Sequence, residues 1–394
     1  MSDKVYVDAI YKSLNKYTEE LCGDRVEIVK NDDCCIVVLS DGLGSGVKAN
    51  ILSTLTSKII STMIIEGASI EDTVDTIVHT LPVCSVRKVA YSTFSILRIG
   101  YDGDVYLVEF DSPNCIFVRD GQILKIDYEI KEIAGKKIKE ARFKAQIGDL
   151  LTIMSDGVIY AGIGATLNLG WNWNNASNFI AEQSRIYKGI TSSRLANLVI
   201  EKCNELYLGK AGDDTTVATV KIIPLKTVNI LTGPPENPKD DPIIVNDFLA
   251  SDGMKIVSGG SSANIFCRVT KKILKTSIEY VNPDVPPVGY IDGIDLVTEG
   301  VLTLKRTLDI LKGYFKNPTD KQMLNALEQK DGASSLAKIL AQESTHINLF
   351  VGRKINPAHQ NPAMPTELNI RTRIIDDLCT VLIDSGKVVN IKYY

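Results

Sequence analysis

The chain has 394 residues, 44% hydrophobic and 23% charged, and its 44 basic and 48 acidic side chains leave a net charge of −4. That is the balance of a soluble globular protein of two or three domains, and it argues against a nucleic-acid partner held by bulk positive charge. No apolar run approaches the roughly 20 residues that cross a bilayer, and Met1-Ser2-Asp3-Lys4 lacks the layout of a secretory signal, so a cytoplasmic location without a membrane partner is expected. The eight cysteines contain no CxxC, and His79, His346 and His359 are far apart. Reduced thiols and no zinc site follow, which leaves any chemistry to carboxylates.

Residues 5–21 place Ile10, Leu14, Tyr17 and Leu21 at helical spacing, which predicts an amphipathic N-terminal helix. A short strand after Asp24, a turn at Asn31-Asp32-Asp33 and the apolar run Cys34 to Leu39 come next. The Gly-rich loop Asp41-Gly42-Leu43-Gly44-Ser45-Gly46 then opens a helix with Leu52, Leu55, Ile59 and Met63 on its apolar face, stopped by Gly67. Ser69 and Asp72 form a capping box for another helix. Tyr91 to Ile99, Val105 to Phe110 and Cys115 to Val118 read as an antiparallel meander, with turns at Asp102-Gly103, Ser112-Pro113-Asn114 and Asp120-Gly121. A strand over Leu150 to Met154, helical patterning from Ala176 to Glu205 and a strand over Val217 to Ile223 complete an α+β region, sheets covered by helices. A boundary falls near Pro224 to Thr227. Beyond it, strands (Val228 to Leu231, Lys255 to Ser258, Ile347 to Val351) alternate with helices (Pro242 to Ala250, Ser261 to Val269), which predicts a smaller α/β domain over 225–394 with a largely parallel sheet.

Three acidic sites share one design. Ile36 to Leu39 runs into Ser40-Asp41-Gly42, Leu150 to Met154 runs into Ser155-Asp156-Gly157, and Gly212-Asp213-Asp214-Thr215-Thr216 leads into the strand Val217 to Ile223. Strand ends of one sheet could gather these carboxylates, which repel unless a cation sits among them. Oxygen ligands without His or Cys point to Mg²⁺ or Mn²⁺. Asp-Gly is also the commonest turn signal, as at Asp102-Gly103, Asp120-Gly121 and Asp252-Gly253, so no single occurrence decides.

The order decides more. Gly23-Asp24, Ser40-Asp41-Gly42-Leu43-Gly44-Ser45-Gly46, Gly148-Asp149-Leu150 into Ser155-Asp156-Gly157, and Gly212-Asp213-Asp214-Thr215-Thr216 together resemble the metal-dependent serine/threonine phosphatases, the PPM or type 2C family, in their SpoIIE-like bacterial branch. Ser92-Thr93-Phe94 and Asp111-Ser112-Pro113 resemble its central region, and the likeness covers residues 10–223. The resemblance implies a four-layer α-β-β-α sandwich over residues 1–224. It also implies two Mn²⁺ or Mg²⁺ ions that activate a water against a phosphate monoester. By motif, Asp41 would bridge both ions, the Gly42 carbonyl would complete one, Asp156 and Asp213 would hold the first, and Asp24 would lie beside them. The partner implied is a phosphorylated protein, with a homodimer compatible. The N-terminal arginine with which the family's eukaryotic members grip the phosphate, and which SpoIIE-like members often lack, has no counterpart before Asp24; Lys48 is a candidate replacement or an ordinary exposed lysine. Asp214 stands where the family usually has Asn and is placed behind the ligands, while His79 reads as packing or surface.

In the second domain, Leu231-Thr232-Gly233-Pro234-Pro235 and Val257-Ser258-Gly259-Gly260-Ser261-Ser262 each link a strand to a helix, a geometry shared by ordinary capped turns and by sites for a small anionic ligand. Asp292, Asp295 and Glu299 read as solvated capping residues, and Asn356 to Pro362 as a Pro-rich lid or interface loop. A regulatory role is expected for this domain. Two other readings share the pattern: a signalling scaffold with a non-catalytic phosphatase fold, and a nucleotide or metabolite activity in residues 225–394 that the first domain regulates.

Overall fold

Residues Cys34 to Leu39 bury Cys35, Val37 and Leu39 on one side and Cys34, Ile36 and Val38 on the other, because successive strand side chains point to opposite faces. A strand apolar on both faces lies between two layers, and that condition shapes the first half of the chain. The computed structural model describes residues 5–80, 92–276, 289–354 and 370–394. The chain divides into two compact units, Met1–Pro224 and Leu225–Tyr394.

The first unit runs β1 (Val5–Leu14), β2 (Asp24–Lys30), β3 (Cys34–Gly42), α1 (Gly46–Ile65), α2 (Ile70–Thr80), β4 (Ser92–Gly100), β5 (Asp104–Phe110), β6 (Ile116–Arg119), β7 (Gln122–Leu124), β8 (Glu129–Ile133), β9 (Lys136–Lys144), β10 (Leu150–Met154), α3 (Asp156–Ile159), α4 (Asn172–Ile186), α5 (Ser192–Leu206) and β11 (Thr215–Pro224). Two sheets form, ordered β1-β11-β10-β6-β7 and β2-β3-β4-β5-β9-β8. One core, with Val7, Val37, Leu107, Leu151 and Val220, draws on both sheets. A second joins the six-stranded sheet to α1 and α2 through Ile36, Ile96, Ile60 and Val74. A third joins the five-stranded sheet to α4 and α5 through Ile116, Val217, Ile180 and Val199. This is the four-layer α-β-β-α sandwich expected from the sequence.

Three local expectations are corrected. Residues 5–14 form strand β1, paired along its whole length with β11, and not the start of a helix. Ile10 and Leu14 are four apart, a spacing that puts side chains on one face of a helix and equally of a strand. Val5, Val7 and Ala9 enter the inter-sheet core, whereas Tyr17 and Leu21 are 55% and 44% exposed and support no apolar stripe. Helix α1 buries Ala49, Ser53, Thr56, Ser57, Ile60 and Ile64, while Leu55 faces solvent. Its buried hydroxyls each donate to a carbonyl within the helix, as Ser53 does to Asn50 O and Thr56 to Leu52 O, so small polar residues pack closely at no unpaired cost. The meander is divided: β5 and β6 lie in different sheets, and Ser112-Pro113-Asn114 crosses between them. The helical patterning from Ala176 to Glu205 is present as two helices, α4 and α5.

The second unit contains β12 (Thr227–Thr232), α6 (Asp241–Ala250), β13 (Met254–Ser258), α7 (Gly260–Thr270), β14 (Lys275–Thr276), β15 (Gly289–Tyr290), β16 (Leu296–Thr298), α8 (Val301–Lys316), α9 (Lys321–Leu327), α10 (Gly332–Lys338), β17 (His346–Val351), α11 (Ile370–Asp384) and β18 (Val388–Tyr393). Its sheet is ordered β14-β15-β16-β13-β12-β17-β18, and the strands from β16 to β18 are parallel. Leu231 and Val257 pack with Ile244, Phe248 and Phe266 of α6 and α7. Ile230 and Ile256 pack with Leu308, Leu336 and Leu378 of α8, α10 and α11. Helices on both faces are what a parallel sheet requires. Tyr91 and the Asn356 to Pro362 loop lie outside the described residues.

Candidate metal centre

Asp24 opens β2 and Asp41 is the penultimate residue of β3; the two are directly opposite in the antiparallel register. Val26 and Leu39, each two residues away, belong to the inter-sheet core, so both carboxylates leave on that face at its end. In the other sheet, β10 runs into Ser155 and then Asp156, the first residue of α3, while Asp213 and Asp214 immediately precede β11. Ser155 locks these ends together: its N–H donates to Thr216 O (2.9 Å) and its Oγ accepts from the Thr216 N–H (2.8 Å). Asp41 feels the charges of Asp24, Asp156, Asp213 and Asp214. Strand ends from both sheets therefore converge at one end of the sandwich.

The glycines separate this group from ordinary turns. Gly103, Gly121 and Gly253 have φ of 91°, 74° and 103°, the left-handed region a tight turn requires. Gly42 and Gly157 are absent from that region and are constrained sterically instead. A Cβ on Gly42 would stand 2.0 Å from Ala49 O of α1, and one on Gly157 would stand 2.1 Å from Asp214 O. The Gly42 N–H donates to Gly23 O (3.1 Å), and the Tyr207 hydroxyl donates to Gly157 O (2.8 Å). Glycine here lets backbone approach backbone beside Asp41 and Asp156, which precede the two glycines, and Asp214, which faces Gly157.

The carboxylates are held against their own repulsion. Asp24 is 5% exposed and neither of its oxygens has a hydrogen-bond partner. Burial, with the charges of Asp214 and Asp156, pushes its carboxyl up to about 7 against the lowering effect of the nearby Ser155 and Thr216 hydroxyls, which donate elsewhere. Burial and then the four neighbouring acids push Asp41 up to about 9. Asp156 is raised by burial and by Asp213. Asp214 accepts from the Lys16 N–H through Oδ1 (3.0 Å), but its Oδ2 is buried without a partner. Among the described residues Lys16, 3.7 Å from Asp213 Oδ1 and partly exposed, is the only cation ion-paired with these acids. One exposed ammonium cannot neutralise five carboxylates.

Among the described residues no three His, Cys, Asp or Glu side chains are arranged to hold a metal ion as they stand. What fits a hard divalent cation is the donor chemistry: buried carboxylate oxygens of Asp24 and Asp214 with no partner, in a group whose members raise one another's proton affinity. Lys48 is exposed on α1 and, among the described residues, pairs with none of these acids. His79 is exposed on α2, its ring Nδ1 2.8 Å from Asp75 O. Lys16, Ser155 and Tyr207 carry positioning contacts that sequence reasoning missed. Lys16 was hidden by the helix expected over residues 5–21, and its partner Asp214 is 198 positions away.

Residues 31–223 match the family model described as Stage II sporulation protein E (SpoIIE). This segment is SpoIIE-like. Over 194 residues the chain is 24% identical to stage II sporulation protein E of Bacillus subtilis (strain 168), covering 47% of this chain and 22% of that protein. The chain thus spans under a quarter of that relative's length. A similar solved structure is the PP2C phosphatase domain with a fragment of the regulatory domain of SpoIIE from Bacillus subtilis: 19% identity, 56% of this chain, 63% of that one, TM-score 0.48. Another comprises the RsbU and RsbW domains of a Mycobacterium tuberculosis protein, at 16% identity, 63% and 69% coverage and a TM-score of 0.45. No helix among the described residues is long and apolar enough to cross a membrane.

Proposed function

We propose that the SpoIIE-like unit, residues 1–224, is a metal-dependent phosphoserine/phosphothreonine protein phosphatase and that residues 225–394 regulate it. The observation that carries this is the Asp24–Asp41 pair: two acids in direct cross-strand register, with neither oxygen of the buried Asp24 hydrogen-bonded. Such a pair is costly unless a cation sits between or beside it. Asp41, the Gly42 carbonyl, Asp156 and Asp213 would hold two Mg²⁺ or Mn²⁺ ions, with Asp24 adjacent. When bound, the ions supply Lewis-acid activation of a water and neutralise the phosphate oxygens. The protein's own groups do the positioning. The Lys16 N–H fixes Asp214, the Lys16 ammonium steadies Asp213, and Ser155 ties the start of α3 to β11 so that Asp156 keeps its place.

A phosphorylated protein is the substrate class. Phosphate release from a phosphoserine and a phosphothreonine peptide by the full chain in Mn²⁺, beside a phosphotyrosine peptide of the same sequence, tests it. The expected result is release from the first two, at least about tenfold slower release from the third, and none in EDTA. Equal rates with and without metal would refute the proposal.

A further inference from the structure

The parallel strands of the second unit stand in the order β16-β13-β12-β17-β18. β12 is first in the chain; β13 and β16 build outward on one side of it and β17 and β18 on the other, so the winding reverses between β12 and β17. At such a switch point the connections leave the carboxyl ends of neighbouring strands toward opposite faces and open a crevice. A cavity of about 660 Å³ lies there, lined by Gly233 after β12, Gly260 after β13, Glu299 after β16, Arg353 and Lys354 after β17, and Arg371 at the start of α11. Its volume falls within the ~300–1,000 Å³ of small-molecule sites.

The lining is built for an anion. Helices α7 and α8, 11 and 16 residues long, both begin at this cavity behind glycine N-caps, Gly259 and Gly300, that offer no side-chain cap. Their first-turn N–H groups are left for another acceptor. Arg371 donates through Nη2 to Gly352 O (2.8 Å) and Lys354 O (3.0 Å), while its Nε is buried without a partner. Among the described residues no carboxylate pairs with Arg371, Arg353 or Lys354, whereas Arg268, also on the lining, is ion-paired with Asp241. A partly buried guanidinium without a counter-ion is costly to keep unless an anion joins it. Two carboxylates break the basic lining: Asp241 is ion-paired with Arg268, and Glu299 Oε2, expected from the sequence to be solvated, is buried and receives no hydrogen bond, which suits the hydroxyl of a ligand. Gly260 completes the shape, since a Cβ there would meet nothing within 4 Å.

The geometry points to a binding site for a phosphate monoester of a hydroxylated small molecule, its phosphate on the helix ends and Arg371 and its hydroxyls toward Glu299. This site is independent of the phosphatase proposal. Calorimetric titration of the full chain in EDTA, so that no metal-dependent site is read, tests it with AMP, glucose 6-phosphate, adenosine and glucose. At least one phosphate ester is expected to bind at least about tenfold more tightly than its unphosphorylated parent. Preference for AMP identifies a nucleotide site, and preference for glucose 6-phosphate a sugar-phosphate site. Gly260→Asp places a negative charge at the cavity without a clash and at a helix N-terminus that tolerates acids. It is expected to weaken binding at least about tenfold while the melting temperature is held. Arg371→Lys is expected to weaken it less. Failure of both esters at millimolar concentration, equal binding of a parent compound, or unchanged affinity in folded Gly260→Asp would overturn the assignment.

Discussion

Asp41 stands across from Asp24 in a register that puts both charges on one face, where like charges destabilise an antiparallel pair. Removing one carboxyl relieves the metal-free fold of the cost of holding either a charge or an extra proton there, even as it removes a ligand. Asp41→Asn is therefore expected to melt several degrees higher than wild type in EDTA, on the order of 1–3 kcal/mol at about 2–4 °C per kcal/mol. Excess Mn²⁺ should raise the wild type and leave the variant unmoved. Thermal scans in the two buffers check both halves, and a variant less stable than wild type in EDTA would contradict the repulsion. Glu109 gives a separate pH signature. It is fully buried on β5, and burial pushes its carboxyl up to about 7, partly offset by the Cys115 N–H it accepts. Its folded value lies above the unfolded one, so the folded state holds a proton the unfolded chain releases. The stability it contributes is full below about 4.5 and is lost as pH rises through about 7. Glu109→Gln should flatten the melting profile between these values and stabilise the protein at pH 8 by on the order of 1–3 kcal/mol. The acids themselves were readable from the sequence, but the difference between Asp41-Gly42 and a turn such as Asp120-Gly121 was not. It lies in the backbone angle at glycine and in a helix carbonyl 2.0 Å from where a Cβ would be.

At the scale of elements, legibility followed how local each constraint is. Strand β3, the capping contact between Ser69 Oγ and the Asp72 N–H (3.0 Å), and the α/β alternation of the second unit are set by neighbours in sequence and were read directly. β1 was misread because its partner β11 lies some two hundred positions away, and because its ambiguous spacing carries no mark of that pairing. The buried face of α1 was read in part: Leu52 and Ile59 pack with Ile60 and Ile64 as expected, but Leu55 faces solvent and small residues share the face. Closeness to β2 and β3 selects Ala49, Ser53 and Ser57. That closeness is testable at Gly42, where an added Cβ meets backbone that cannot yield. Gly42→Ala is expected to cost more than about 2 kcal/mol. Gly44→Ala, at φ 101° but with nothing within 4 Å, should cost about 1 kcal/mol. Chemical denaturation of the two variants measures the difference, and equal costs would contradict close packing of β3 on α1.

For the whole molecule, the order of four acidic motifs across residues 23–216 carried the family likeness that no single motif could, and the sandwich brings those segments to one end. Each unit has its own apolar core, with Val37 and Val220 in one and Val257 and Phe266 in the other. The central claim is that the converging aspartates form a metal-dependent phosphatase centre. Hydrolysis of para-nitrophenyl phosphate by the full chain, in Mn²⁺ and in EDTA, beside Asp41→Asn, tests it most directly. The account predicts turnover only with Mn²⁺ and a loss of at least about a hundredfold in the variant. Turnover that persists in EDTA or in Asp41→Asn, or a folded, Mn²⁺-bound protein with no turnover, would contradict it.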